Sequence, residues 1–363
     1  MSKMHGLERY HRQMLLPGVG EEGQRRLAES SVLLVGCGAL GCASADLLAR
    51  AGVGRITLVD RDVVELTNLQ RQTLFDERDA AEGLPKAEAA ARRLRAVNSP
   101  IRVEAVVADF NSGNAERMVR EAAPAVLLDG TDNFETRYLL NDLAVKHGVP
   151  YCYGGVVGTR GMQMTVLPTA TRERGSCCLR CVFETPPAPG SVPTCDTAGV
   201  LGPVVAIVAA CQASDAFKLL LGRADLLSPT LLEIDLWSNL RRRLDLSAAR
   251  RADCPCCGLR GFEFLEGDAM SGTRALCGQI AVQVCPAGAA AGARVDLAGL
   301  AERLLPHGEF EVGRFFLRGE LARERSPEGA PVGLTVFPDG RAIIRGTERV
   351  EAARSIYARF IGG

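Results

Sequence analysis

The chain has no excess of either charge: its 43 lysines and arginines balance 43 aspartates and glutamates. A balanced surface offers no general attraction to nucleic acid or to an anionic membrane, so any charged site must be local. No apolar run nears the roughly 20 residues that span a bilayer, which argues against a membrane-embedded reading. The first residues, MSKMHGLERYHRQML, are too charged for a signal peptide, and the expected location is cytoplasmic. Histidine is scarce. The four stand at positions 5, 11, 147 and 307, in no evident catalytic context. Clear internal repeats and low-complexity tracts are absent as well.

What the chain does contain is cysteine, 13 in all. Without a secretion signal these point to thiols, metal or redox chemistry ahead of a disulfide scaffold. At 363 residues there is chain enough for two domains. Its organising stretch runs from Ser31 to Asp60. A buried-strand run (Val32 to Val35) enters Gly36-Cys-Gly38-Ala-Leu-Gly41, an apolar helix pattern follows to Ala51, and a second β-rich run ends on Asp60. Glycines let backbone approach a phosphate, a helix N-terminus offers unpaired N–H groups, and an acid at the next strand end takes ribose hydroxyls. This is the pattern of a nucleotide site.

Strand and helix patterns then alternate. After a polar crossover (Asp62 to Gln72) without clear period, a helix is expected from Leu84 to Val97, with Pro85 in its first turn and a stop at Asn98-Ser99-Pro100. Lys86 shares that first turn, where the helix dipole disfavours a cation, so a buried or bound anion would explain it. A strand over Ile101–Ala108, a helix near Asn114–Ala122, a strand over Ala125–Gly130 and a helix through His147 follow. The expected fold class is α/β, a doubly wound, Rossmann-like, mostly parallel sheet whose strand ends let Asp60 and Asp132 face one crevice. Pro150–Leu167 and Leu231–Leu246 are β-rich around an apolar helix at Gly202–Leu221, which reads as a mixed or antiparallel extension. Residues 1–30 read as an N-terminal arm, 31–265 as the nucleotide-binding domain, and 266–363 as a small C-terminal α+β domain of order β-α-β-β-β-α.

Two C-x-x-C pairs, Cys178/Cys181 and Cys254/Cys257, can each place two thiolates on one metal. Together they complete a closed, tetrahedral zinc site of structural kind. Cys177 and Cys256 crowd the pairs, but only this choice has two-residue spacers twice. Asn68, Arg71, Lys86 and Asp132 suggest more than dinucleotide binding. A pyrophosphate is held largely by backbone and helix dipole, whereas a triphosphate needs cations, here Arg71 and Lys86, and a carboxylate for Mg2+, here Asp132. Solvated surface cations are the competing reading.

The segments RYHRQMLLPGVGEEGQ, VGCGALG, VDRDVVELTNLQRQ, GLPKAE, DGTDNFETRYLLND, CLRC, PTCDTAGVLGP and DCPCCG, in this order between Arg9 and Gly258, resemble the ThiF/MoeB/HesA adenylyltransferases, relatives of the adenylation half of ubiquitin-activating enzymes. The resemblance implies ATP held by Gly41, Asp60, Asn68, Arg71, Lys86, Asp132 and Asn133, with Asp132 also near Mg2+. Arg12 would match an arginine that reaches into the partner subunit's site, implying a homodimer. The implied reaction is attack by the C-terminal glycine carboxylate of a ubiquitin-like sulfur carrier ending in Gly-Gly, ThiS-like or MoaD-like, on the ATP α-phosphate. Thiamine, molybdopterin or related sulfur transfer is the implied setting.

Cys195, in the proline-rich stretch PPAPGSVPTCDTAGV, matches a reactive cysteine that takes over the acyl group or sulfur in some relatives. Adjacent Asp196 works against a thiolate there. The C-terminal unit has no recognisable rhodanese-like cysteine loop, so sulfur delivery by a separate cysteine desulfurase or sulfurtransferase is expected. The terminal Gly362-Gly363 matches a carrier's own ending, and chance is the better account. Two rivals stand beside this reading: a non-catalytic, zinc-stabilised scaffold that binds a carrier, and an NAD-dependent oxidoreductase on the same fold.

Overall fold

In the computed structural model, α1 (His11–Met14) and α2 (Gly20–Glu29) lead into β1 (Ser31–Val35) and α3 (Ala39–Arg50). Residues 6–168, 175–185, 198–266, 273–276, 280–284, 295–327 and 329–361 are described. Gln13 and Gln24 both donate to the Ala51 carbonyl just past α3, at 3.1 and 2.8 Å, and Asn98 donates to Tyr10 Oη at 2.8 Å. These bonds pin the N-terminal segment to the sheet domain.

From Val32 to Val35, β1 is an unbroken apolar run because it is covered on both faces. The chain continues through β2 (Arg55–Asp60), α4 (Glu77–Glu82), α5 (Lys86–Val97), β3 (Arg102–Val107), α6 (Ala115–Ala122), β4 (Val126–Asp129) and α7 (Phe134–His147). α4 stands in a polar stretch where no period is legible. Its boundaries come from local bonds: Asp76 and Asp79 form a reciprocal capping box, and Gly83 ends the helix at φ +58. α5 buries Ala87, Ala89, Ala90, Ala91 and Leu94, small residues that let it lie close against its neighbours.

β5 (Tyr151–Val157), β6 (Arg160–Val166), α8 (Leu179–Val182), α9 (Gly202–Leu220), β7 (Thr230–Asp235), β8 (Leu240–Asp245) and α10 (Glu263–Glu266) complete this unit. The eight-stranded sheet has the order β3-β2-β1-β4-β5-β6-β7-β8. β3 through β5 in that order are parallel, and β5 through β8 antiparallel, as the sequence pattern implies. The strand order reverses between β1 and β4, and a doubly wound sheet opens its ligand crevice beyond the strand ends at such a point. α9, with 19 residues, is long and apolar enough to cross a bilayer by length and composition, which corrects the expectation that no apolar run nears that length. Here it serves as a core helix, its buried Gln212 donating to the carbonyls of Asp129 and Cys152 at 2.9 and 3.0 Å.

A second unit holds the described residues from 273 onward. It comprises β9 (Thr273–Leu276), β10 (Ala281–Val284), α11 (Leu297–Leu304), β11 (Gly308–Val312), β12 (Leu317–Arg325), β13 (Pro331–Val336), β14 (Ala342–Arg345) and α12 (Val350–Phe360). Its antiparallel sheet has the order β11-β12-β13-β14-β10-β9. The expected order β-α-β-β-β-α is therefore short by two strands. Leu276 pairs with Ala281 across an antiparallel register, so what reads as one run before the helix is a hairpin. β11 escapes a hydrophobic pattern because it carries Glu309 and Glu311 on an exposed edge. Leu300, Leu304, Ile356 and Tyr357 close the core over Leu317, Leu334 and Ile344.

Candidate active site

Three glycines meet where the strand order reverses. Gly36 leaves β1 at φ +92, and a Cβ there would lie 2.6 Å from the Gly130 carbonyl. A Cβ on Gly41 would stand 1.9 Å from the Gly36 carbonyl oxygen, and one on Gly130 2.1 Å from the same atom. Backbone packs on backbone here, which only glycine permits. Gly38 differs. It is the N-cap of α3 at an ordinary φ of −73, and a Cβ on it would meet nothing nearer than the Gly130 oxygen at 3.6 Å. Space is left beside a helix N-terminus, where unpaired N–H groups and the dipole favour an anion.

Asp60, the last residue of β2, braces this loop. Its Oδ2 accepts from Cys37 N at 2.5 Å and its Oδ1 from Asp62 N at 2.7 Å. Burial first, and then the neighbouring Asp62, push its carboxyl up to about 6 against the pull of Lys86. The folded value lies above the ordinary 3.8, so the stability this group contributes is present below about pH 4 and is lost as pH rises through 6. At pH 7 the ionised acceptor costs stability. Nucleotide affinity is expected to fall as pH drops through 6, and Asp60→Asn to flatten that profile; calorimetric titrations from about pH 5 to 8 check it, and an unchanged slope in the variant would refute it.

Lys86 is placed by a short backbone pairing. Val64 N donates to Leu84 O and Lys86 N to Asp62 O, both at 2.8 Å, so the two segments run side by side. This sets Lys86 Nζ 3.1 Å from Asp62 Oδ2, with the lysine side chain only 10% exposed. Burial pulls the ammonium pKa down, but Asp62 and Asp60 outweigh it and hold it above the ordinary lysine value. Asp62 is thus an anion answering the dipole conflict at this helix start. Arg61 continues the alternation, 3.6 Å from Asp62 and 2.8 Å from Asp109. Sequence reasoning passes over Arg61 and Asp62; the available signal is the triplet Asp60-Arg61-Asp62 at a strand end.

Asp132 is exposed beyond β4 and acts electrostatically on Lys86 and Arg61. Asn133 caps α7, accepting from Thr136 N at 2.8 Å. Beneath them lies a buried set also missing from the sequence candidates. Asp129 accepts from Thr131 N and Oγ1 and from Tyr151 Oη, at 2.9, 2.7 and 2.7 Å. Arg137 donates to Thr131 O at 2.9 Å and stacks on Phe134 and Tyr153. The signal was an aspartate closing the apolar run Val126–Asp129, where a carboxylate needs partners.

Asn68 and Arg71 hold the turn after β2. Asn68 is buried and its Oδ1 accepts from Glu65 N at 3.0 Å, while Arg71 Nη1 donates to Thr67 O at 3.0 Å. Arg71 and Lys86 thus bond to different groups, Thr67 O and Asp62 Oδ2. Arg12 is exposed on α1, while Tyr10 and Gln13 on either side are anchored. Cys195 and Gly362-Gly363 lie outside the described residues.

Cys178, Cys181, Cys254 and Cys257 come together, their Sγ atoms all within 4.8 Å of one another. Three of the separations are 3.4, 3.6 and 4.0 Å. Four sulfurs about 2.3 Å from one tetrahedral zinc would stand about 3.8 Å apart, so the cluster fits that ion.

Residues 10–256 match the profile of the ThiF family. The chain belongs to the ThiF family. Among its relatives, the sulfur carrier protein ThiS adenylyltransferase of Bacillus subtilis is 40% identical over 98% of this chain and 99% of its own length. That likeness runs on through the second unit. The sulfur carrier protein adenylyltransferase of Thermus thermophilus is 44% identical over 69% of this chain and 91% of its own. Among solved structures, Escherichia coli MccB with ATP superposes with a TM-score of 0.58 at 23% identity, over 70% of this chain and 75% of that one. At that identity the likeness bears on the fold, and it places the eight-stranded sheet among ThiF-like Rossmann folds.

Proposed function

We propose that this ThiF-family chain is an ATP-dependent adenylyltransferase for the C-terminal glycine of a ubiquitin-like sulfur carrier, with a ThiS-like carrier first in line. The observation that carries the reading is the buried Lys86, held among Asp62, Asp60 and Asp132 beside an open helix N-terminus at the sheet's reversal point. With Mg2+ at Asp132, the ammonium would face a triphosphate, and a dinucleotide would not require it.

In this reading the Gly36–Gly41 loop and α3 N-terminus receive phosphate, and Asp60 accepts ribose hydroxyls. Lys86 and Arg71 offset phosphate charge, and Asn68 and Asn133 order the loops around it. Asp132 would hold Mg2+, which when bound supplies further charge neutralisation. The carrier's carboxylate oxygen attacks the α-phosphorus, the bond to the β-phosphate oxygen breaks, and pyrophosphate leaves with acyl-adenylate formed. A C-terminal carboxylate is already ionised at pH 7, so no general base is needed. Catalysis rests on positioning and electrostatics, which suits a site that has no histidine among its described residues. The four cysteines would hold zinc and join two distant segments of the chain. Arg12, exposed beside anchored neighbours, would serve a second copy's site in a homodimer. Cys195 would attack the acyl carbon of the acyl-adenylate, forming a thioester as the bond to the phosphate oxygen breaks and AMP leaves, while the sulfur itself would come from a separate cysteine desulfurase or sulfurtransferase.

Carrier-dependent ATP–pyrophosphate exchange, with ThiS-like and MoaD-like proteins offered separately, tests the reading. Exchange with one carrier and its loss in Asp132→Ala is the expected result. Exchange with neither, at saturating ATP, would leave the scaffold reading in its place.

A further inference from the structure

The cysteine cluster and the nucleotide crevice share one helix. α7 is capped by Asn133, beside Asp132, and its first turn steadies the crevice loop through Thr136 N to Asn133 Oδ1 and Arg137 to the Thr131 carbonyl. Tyr138, Asn141, Asp142 and Val145 follow at the spacing of one helix face, and each contacts the cysteine-bearing segments or the chain just beyond them. Tyr138 Oη donates to the Phe183 carbonyl at 2.8 Å, and its ring lies 4.9 Å from that of Phe264. Arg260 donates to the Val145 carbonyl.

The two central residues do something the others do not. Asn141 is fully buried, and its two amide atoms go to different knuckles. Oδ1 accepts from Leu179 N at 2.8 Å, between Cys178 and Cys181, while Nδ2 donates to Cys256 Sγ at 3.3 Å, between Cys254 and Cys257. Asp142, equally buried, accepts from Phe264 N at 3.0 Å and Leu265 N at 3.4 Å, just past the second pair. A buried amide with both atoms satisfied tolerates only one relative placement of the two knuckles, and a metal bound by four thiolates imposes a placement of the same kind. Eight residues of helix, about 12 Å, separate Asn141 from Asn133, too short a rod to flex between them.

We propose that α7 couples the four-cysteine site to the nucleotide crevice, with Asn141 and Asp142 as positioning residues, so that metal occupancy and nucleotide affinity raise one another. The inference rests on the reading above, that the crevice takes ATP and the cysteines take zinc. Coupling of this kind is reciprocal: whatever factor zinc adds to nucleotide affinity, nucleotide must add to zinc affinity.

The experiment uses the zinc-loaded full chain. Zinc transfer to a chromophoric chelator is measured with and without a saturating non-hydrolysable ATP analogue, in excess Mg2+, for the wild type, Asn141→Ala and Tyr138→Phe. In the wild type the analogue should tighten zinc at least about fivefold. Asn141→Ala should bind zinc about tenfold more weakly and lose the analogue's effect, while Tyr138→Phe, which leaves both knuckle bonds in place, should keep it. Hydrogen exchange of the α7 amides should slow on nucleotide binding in the wild type and not in Asn141→Ala. If the wild type binds both ligands and the analogue leaves zinc affinity unchanged, the coupling is wrong and the nucleotide reading stands. If it binds no analogue or takes up no zinc, that reading itself fails. The wild-type comparison decides the matter even if Asn141→Ala does not fold.

Discussion

Replacing Lys86 by methionine should cut carrier-dependent ATP–pyrophosphate exchange by about 10²–10³-fold. Methionine keeps the reach and apolar stem of the side chain, so the loss measures charge. The ammonium is largely withdrawn from water, where its attraction for a phosphate is screened less than at a surface. Lys86→Arg should recover little, because a planar guanidinium does not occupy the space of a compact ammonium between Asp62 and the start of α5. A second readout separates charge loss from unfolding. Without the ammonium, Asp60 loses a cation that holds its pKa down, and its carboxyl should titrate above its present value of about 6. Exchange kinetics, a thermal melt and the pH profile of nucleotide binding together check this. Wild-type exchange in a folded Lys86→Met protein would remove Lys86 from the mechanism.

The glycine loop should split into two kinds of glycine. Gly41→Ala is expected to destabilise the first unit by about 3 kcal/mol or more, because its Cβ would stand 1.9 Å from a backbone oxygen that cannot rotate away. For a unit of this size that is a fall in melting midpoint of roughly 6–12 °C. Gly38→Ala should leave the midpoint within a degree or two, since φ is ordinary and the nearest protein atom is 3.6 Å off. Its methyl group would instead occupy the space where a phosphate approaches, and ATP affinity should drop by about 10²-fold. Calorimetry and ATP titration on both variants would settle the assignment. Full ATP affinity in Gly38→Ala would mean that the open side of α3 is not the phosphate side.

Much of this was legible in the chain. The run Val32–Asp60 declares itself because an apolar strand, a glycine turn and an apolar helix have periods that do not depend on distant contacts. The two C-x-x-C pairs were legible for a similar reason: metal spacing is written in the chain, and the structure gathers those four sulfurs. α4 was hidden because a short polar helix held by a capping box leaves no hydrophobic period. The second unit's β9–β10 hairpin was hidden because antiparallel pairing within one apolar run leaves the same composition as a single strand.

By itself, the sequence determined the α/β class, the glycine turn between β1 and α3, the cysteine set and the need for an anion near Lys86. These rest on local backbone geometry, on periodicity, and on the dipole of one helix. Which anion meets Lys86, which glycines pack backbone on backbone and which is left open, and that Asn141 touches both cysteine knuckles were decided only by tertiary structure. Each depends on atoms far apart in the chain being brought within bonding distance, as Asp62 is to Lys86, Gly130 to Gly36 and Leu179 to Asn141. Residue type says what a side chain can bond, and the fold alone says what stands beside it.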